Sequence, residues 1–81
     1  LILKKPNTAV RFLNNCLLPG NIGRFNPDEI EEIRYKLALG YSHIKMSAYA
    51  VRELNRILET NPSNKEAQNF LNKIESSLNS R

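Results

Sequence analysis

Residues 37–62, LALGYSHIKMSAYAVRELNRILETNP, decide how this chain folds. Leu37, Ala38, Tyr41 and Ile44 recur at helical spacing. After a short break at Lys45-Met46-Ser47, the spacing resumes through Ala50, Val51, Leu54, Ile57 and Leu58. Apolar residues at that period make one stripe along an α-helix, so the stretch predicts two helices folded back on each other through a tight turn. Gly40 and Ala50 are small residues placed where two such helices would cross. A glycine inside a helix costs roughly 1 kcal/mol against alanine, so Gly40 is better explained by close packing than by a break.

Upstream, Ala9-Val10-Arg11-Phe12-Leu13-Asn14-Asn15-Cys16-Leu17 shares the pattern A-V-R-x-L-N-x-x-L with Ala50 to Leu58, the copies starting 41 residues apart. Tetratricopeptide arrays repeat every 34 or so residues, which leaves roughly seven inserted between the copies. Pro19-Gly20-Asn21-Ile22-Gly23 is where they fit. The organising stretch also resembles the tetratricopeptide signature through Leu37-Ala38, Tyr41, Ala50, Leu54 and Pro62, with Arg34 at the leading tryptophan position. The fold class expected is all-α, a single domain over 1–81 built of tetratricopeptide-like antiparallel helix pairs. About four helices are predicted, at residues 7–18, 27–45, 48–60 and 64–78, the last closing the stack as a capping helix.

The flanking segments supply starts and stops. Leu1-Ile2-Leu3 reads as the tail of an earlier helix, broken by Lys4-Lys5-Pro6-Asn7. Pro6 or Asn7 then opens a helix with Val10, Leu13, Cys16 and Leu17 on one face, and Pro19-Gly20 stops it. The loop to Asn26 is expected to be the most mobile part. Asn26-Pro27-Asp28-Glu29 is a strong helix start, with an asparagine cap, proline at the first position and acids where the helix dipole is positive. The cluster Asp28, Glu29, Glu31, Glu32 is thereby explained without a ligand. Ile30 and Ile33 extend the stripe of this second helix. Ser63-Asn64-Lys65-Glu66 fits a capping box led by Ser63, before a last helix with Ala67, Phe70, Leu71, Ile74 and Leu78 on one face and fraying from Ser76 to Arg81.

Composition narrows the function classes. A formal net charge of +4 with basic residues scattered along the chain is weak for a nucleic-acid binder, and the few aromatics are not interleaved with a basic run. One cysteine, Cys16, excludes an internal disulfide and reads as a core thiol in a reducing compartment. No nucleophile stands with a base at readable spacing, and neither a phosphate loop nor a zinc cluster is present. His43, the sole histidine, reads as a solvent-facing side chain. The expectation is a non-enzyme with no cofactor and no metal. No apolar run approaches the roughly 20 residues that cross a bilayer, so any membrane attachment rests on an anchor outside this sequence. Starting at Leu1 without a methionine, the chain is read as a piece of a longer protein.

The chain is similar to the mitochondrial fission 1 family of tail-anchored tetratricopeptide-like receptors. The resemblance rests on Leu17-Leu18-Pro19, Leu37-Ala38, Gly40, Ala50 and above all the run Leu58-x-Thr60-x-Pro62-x-Asn64-x-x-Ala67, and spans residues 9–78. The chain differs from the family in a longer loop after Pro19 and in Ser47, where an aromatic is usual. The resemblance implies an adaptor on the cytosolic face of the outer mitochondrial membrane, and on peroxisomes, recruiting adaptors or a dynamin-related GTPase through a concave face. It also implies absent amino-terminal helices and an absent membrane anchor. Groove positions counted from the motif are Tyr35, Leu39, Ser42 and His43, with Lys36 nearby. Tyr35 and Leu39 occupy the slots where chaperone-binding relatives clamp a terminal carboxylate, which favours an apolar or mixed ligand over an acidic tail. The alternatives are a generic tetratricopeptide scaffold or co-chaperone, cytoplasmic in that case, and an accessory helical domain of an enzyme or RNA-processing factor. With preceding helices gone, the apolar face of residues 9–18 is uncovered, and the fragment is expected to self-associate. Light scattering at high concentration should find dimers, and a monomer alone would overturn this.

Overall fold

The computed structural model describes residues 5–79, and every described element is helical: α1 (Pro6–Cys16), α2 (Pro19–Ile22), α3 (Pro27–His43), α4 (Ser47–Thr60) and α5 (Lys65–Asn79). The reading of Leu1-Ile2-Leu3 falls outside the described residues. α3 packs against α1 on one side and α4 on another, and α5 packs on α4.

Helix boundaries follow local chemistry. α1, α2 and α3 each begin at a proline, whose fixed φ suits a first turn and whose missing N–H is one a helix start leaves unpaired anyway. The helix end expected at Leu18 before Pro19-Gly20, and the reading of Pro19–Ile22 as loop, are therefore corrected. α1 already ends at Cys16, and Pro19 opens a fifth, one-turn helix in which the Asn21 and Ile22 amides both donate to the Leu18 carbonyl at 2.8 Å. The Asn21 side chain ties this turn back to the Asn15 carbonyl at 2.8 Å. At Asn26 the expected cap is present as a full capping box: the Glu29 amide donates to Asn26 Oδ1 at 2.8 Å and the Asn26 amide to Glu29 Oε1 at 3.0 Å.

Ser63 does not cap α5. The Ala67 amide donates to Asn64 Oδ1 at 3.0 Å, one residue later than expected, while the Ser63 hydroxyl donates to Asn61 Oδ1 at 2.9 Å within the turn. α5 is helical through Ser76 to Asn79, and the rest of the segment expected to fray, residues 80–81, lies outside the described residues. α3 ends at His43 in a Schellman motif, the Met46 amide bonding the Tyr41 carbonyl at 2.8 Å and the Lys45 amide the Ser42 carbonyl at 3.2 Å. Lys45 takes φ 63°, the left-handed conformation in which glycine is usual, at a cost of roughly 1–2 kcal/mol for a side-chain-bearing residue.

Leu37, Ala38, Ala50, Leu54, Ile57 and Ala67 are sealed from solvent at the centre, with Val10, Leu13, Tyr41, Leu71 and Ile74 around them. Gly40 is buried on α3, as the packing reading of this glycine requires. Leu17, Ile33, Ile44, Val51, Leu58 and Phe70 are partly buried against this core, and two further expected core residues lie outside it. Cys16 is half-buried, and Leu78 is 50% exposed because it extends the α5 stripe one turn past the buried Ile74.

Polar contacts fix the register of these apolar surfaces. The Arg34 guanidinium, 19% exposed, bonds Glu53 Oε1 at 2.9 Å across α3 and α4, and Glu53 itself is buried. The Asn14 side chain donates to the Tyr41 hydroxyl at 2.9 Å, joining α1 to α3. Asn61 donates to the Glu31 carboxylate at 3.1 Å and 3.3 Å, and Asn64 donates to the same carboxylate, so the linker before α5 is held to the first turns of α3. The Tyr41 ring stacks on Tyr49 at 5.3 Å, and Arg52 lies over Tyr49 at 5.1 Å.

Removing one partner of a buried ion pair strands the other charge, at about 3 kcal/mol here, the low end for such pairs because Arg34 keeps some water. Urea unfolding should show that loss for Arg34→Met. In the double variant Arg34→Met/Glu53→Leu, stability should return to within about 1 kcal/mol of the parent.

Candidate partner-binding groove

The groove positions counted from the motif all lie on α3. At about 100° of turn per residue, Tyr35, Leu39 and Ser42 share an arc of about 60°, with Lys36 and His43 on the adjoining arc. This is the side of the helix left over once Leu37, Ala38 and Tyr41 are buried. Tyr35, Lys36, Leu39 and Ser42 are half-buried, and His43 is exposed at the last residue of the helix.

The structure brings two of these residues against α5. The Tyr35 ring meets the Phe70 ring with centroids 5.8 Å apart at 56°. Ser42 lines a cavity of about 200 Å³ together with Ser47 at the start of α4 and Phe70, Lys73, Ile74 and Leu78 of α5. Lys36 turns to its own helix, its ammonium 3.4 Å from the Glu32 carboxylate one turn back. His43 lines no part of this cavity.

One wall of the groove was therefore missed when it was counted from α3 alone. Phe70 and Leu78 carried a signal, since both fall on the apolar stripe of the last helix. Lys73 and Ser47 carried none. The resulting surface combines an aromatic floor, three hydroxyl-bearing side chains (Ser42, Ser47 and Ser77, one each from α3, α4 and α5), and one ammonium. It is smaller than the roughly 300–1,000 Å³ typical of small-molecule sites and suits a side chain of a docked segment. Among the described residues no group of three or more histidines, cysteines, aspartates or glutamates is placed to hold a metal ion. No described helix is long and apolar enough to cross a membrane.

Comparison with protein-family models, with curated proteins and with solved structures returns no match.

Burial against its neighbours raises the Tyr35 phenol above its ordinary pKa of 10.0, and the nearby Glu66 carboxylate adds to the shift. Both causes oppose the phenolate. A folded-state pKa above the unfolded one means that the associated stability is complete below pH 10.0 and is lost as pH rises through the folded value. Ring-carbon NMR titration should find Tyr35 ionising above pH 10.0, with Glu66→Gln moving it part of the way back. Ionisation at or below the ordinary value would show that the ring is not packed as described.

Proposed function

We propose that this chain is a non-enzymatic protein-interaction module made of tetratricopeptide-like antiparallel helix pairs, which takes up a partner's segment in the groove between α3 and α5. The single observation that carries the reading is the α3 surface at Tyr35, Leu39 and Ser42, which α5 covers only in part and which borders an open cavity. The repeated A-V-R-x-L-N pattern, one copy in α1 and one in α4, supports a helical-repeat architecture. The finer assignment rests on the Leu58 to Ala67 run. On that assignment the module belongs to an adaptor of the mitochondrial fission 1 type, displayed on the cytosolic face of the outer mitochondrial and peroxisomal membranes. Its partners are then an adaptor protein or a dynamin-related GTPase. A generic tetratricopeptide scaffold is the second reading, favoured by the same internal repeat.

Purified dynamin-related GTPase or its adaptor should bind the immobilised chain. Leu39→Glu places a charge in the groove and should weaken that binding more than about ten-fold, equivalent to 1.4 kcal/mol, with the circular dichroism of the helices unchanged. Equal binding by the variant would move the site off this face. Failure of the parent chain to bind either protein would remove the fission assignment and leave the scaffold reading.

A further inference from the structure

The α5 end of the groove carries a more specific chemistry than the groove as a whole. The apolar stripe of α5 is buried at Ala67, Leu71 and Ile74, but its last member, Leu78, is half exposed beside the cavity it lines with Ser42, Ser47, Phe70 and Lys73. A half-exposed leucine next to an open space of about 200 Å³ is an apolar contact left for another side chain to complete.

Charge decides what should flank that side chain. Lys73 is exposed on the cavity wall and makes no ion pair among the described residues. Glu75, two residues on, projects from nearly the opposite side of the helix, since two residues turn it by about 200°. His43 and Lys45 stand at the same end of α3 as Ser42. The acids Asp28, Glu29, Glu31 and Glu32 are toward its other end, roughly 15–21 Å from Ser42 at 1.5 Å per residue. Glu66, the acid that acts on Tyr35, lies seven residues or roughly 10 Å up α5 from Lys73, so the one charged group on the cavity wall is the Lys73 ammonium, which complements an anionic partner.

We propose that this end of the groove recognises a partner segment in which a leucine-sized apolar side chain stands within one helical turn of an internal aspartate or glutamate. The apolar group enters against Phe70, Ile74 and Leu78. The carboxylate meets the Lys73 ammonium, and the Ser42 and Ser47 hydroxyls face the segment's polar backbone. The inference rests on the interaction-module reading above and adds the sequence class of the ligand.

The test is selection from a displayed library of random 12-residue peptides on the immobilised chain, followed by titration of a selected peptide into the parent and into Lys73→Glu. Enriched peptides should carry an acidic residue within four positions of leucine, isoleucine or phenylalanine. Lys73→Glu should weaken binding by about ten-fold or more, the scale of losing and then reversing a charge contact, with helicity unchanged because the side chain is exposed. Peptides enriched without acids, or bound equally well by Lys73→Glu, overturn the inference while leaving the module reading intact. If no peptide is enriched, both fall.

Discussion

The whole arrangement depends on one helix being enclosed from several directions at once. α3 carries sealed residues at its centre, Leu37 and Ala38, and meets α1, α4 and the linker into α5 around its circumference. Apolar burial supplies the driving force but has no direction, so it does not by itself set how far each neighbour slides along α3. The directional contacts do that: Asn14 on the Tyr41 hydroxyl for α1, Glu53 on Arg34 for α4, and Asn61 with Asn64 on Glu31 for the approach to α5. In a chain of 81 residues, where burial is limited by size, each such contact is a sizeable share of what makes one register better than the next.

That enclosure also locates the candidate site. With two faces of α3 committed to α1 and α4, the remaining arc is the one bearing Tyr35, Leu39 and Ser42. α5 reaches it through Phe70 without covering it. The groove is thus a remainder of the packing problem. Its aromatic floor is the tilted contact of Tyr35 with Phe70, and its rim is what α5 presents there. On this account Tyr35 is both a packing residue and a groove residue, since one side of its ring meets α5 and the residue stays partly open to solvent.

What the sequence disclosed was whatever is decided within one or two helical turns. The Asn26 to Glu29 box needs only four adjacent residues, and it formed as the residues dictated. The turn between α3 and α4 fell at the expected break, yet its mechanism was hidden. Left-handed Lys45 does the work for which glycine is the usual signal, and the two hydrogen bonds of the Schellman motif outweigh the strain. Serine and asparagine both cap helices well, and the choice of Asn64 over the expected Ser63 is made from outside the segment. Asn64 is held where Glu31 accepts its side-chain amide, which fixes it at the helix entrance. Pro19 was ambiguous for a different reason. Proline ends one helix and starts another with equal ease, and only the Leu18 carbonyl accepting two amides settles which occurs. In the candidate groove, the α3 positions come from the motif alone, whereas Lys73 joins them only once α5 has docked.

The two copies of the A-V-R-x-L-N pattern show how tertiary context rewrites one local sequence. Leu13 and Leu54 occupy the same place in the pattern and both are buried. The residue just before each, Phe12 in one copy and Glu53 in the other, reverses the usual rule: the phenylalanine is 66% exposed and the glutamate 5%. The burial of Glu53 has a cause in α3. Arg34 faces α4 with its side chain only 19% exposed, and an arginine at that crossing requires an anion opposite, which Glu53 supplies at 2.9 Å. The arginine at residue 34 and the buried acid at residue 53 are therefore one feature, a charge pair at the crossing of α3 and α4. Either residue alone would read as a flaw in the pattern. Together they specify which face of α4 meets α3, and so on which side of α3 the groove is left open.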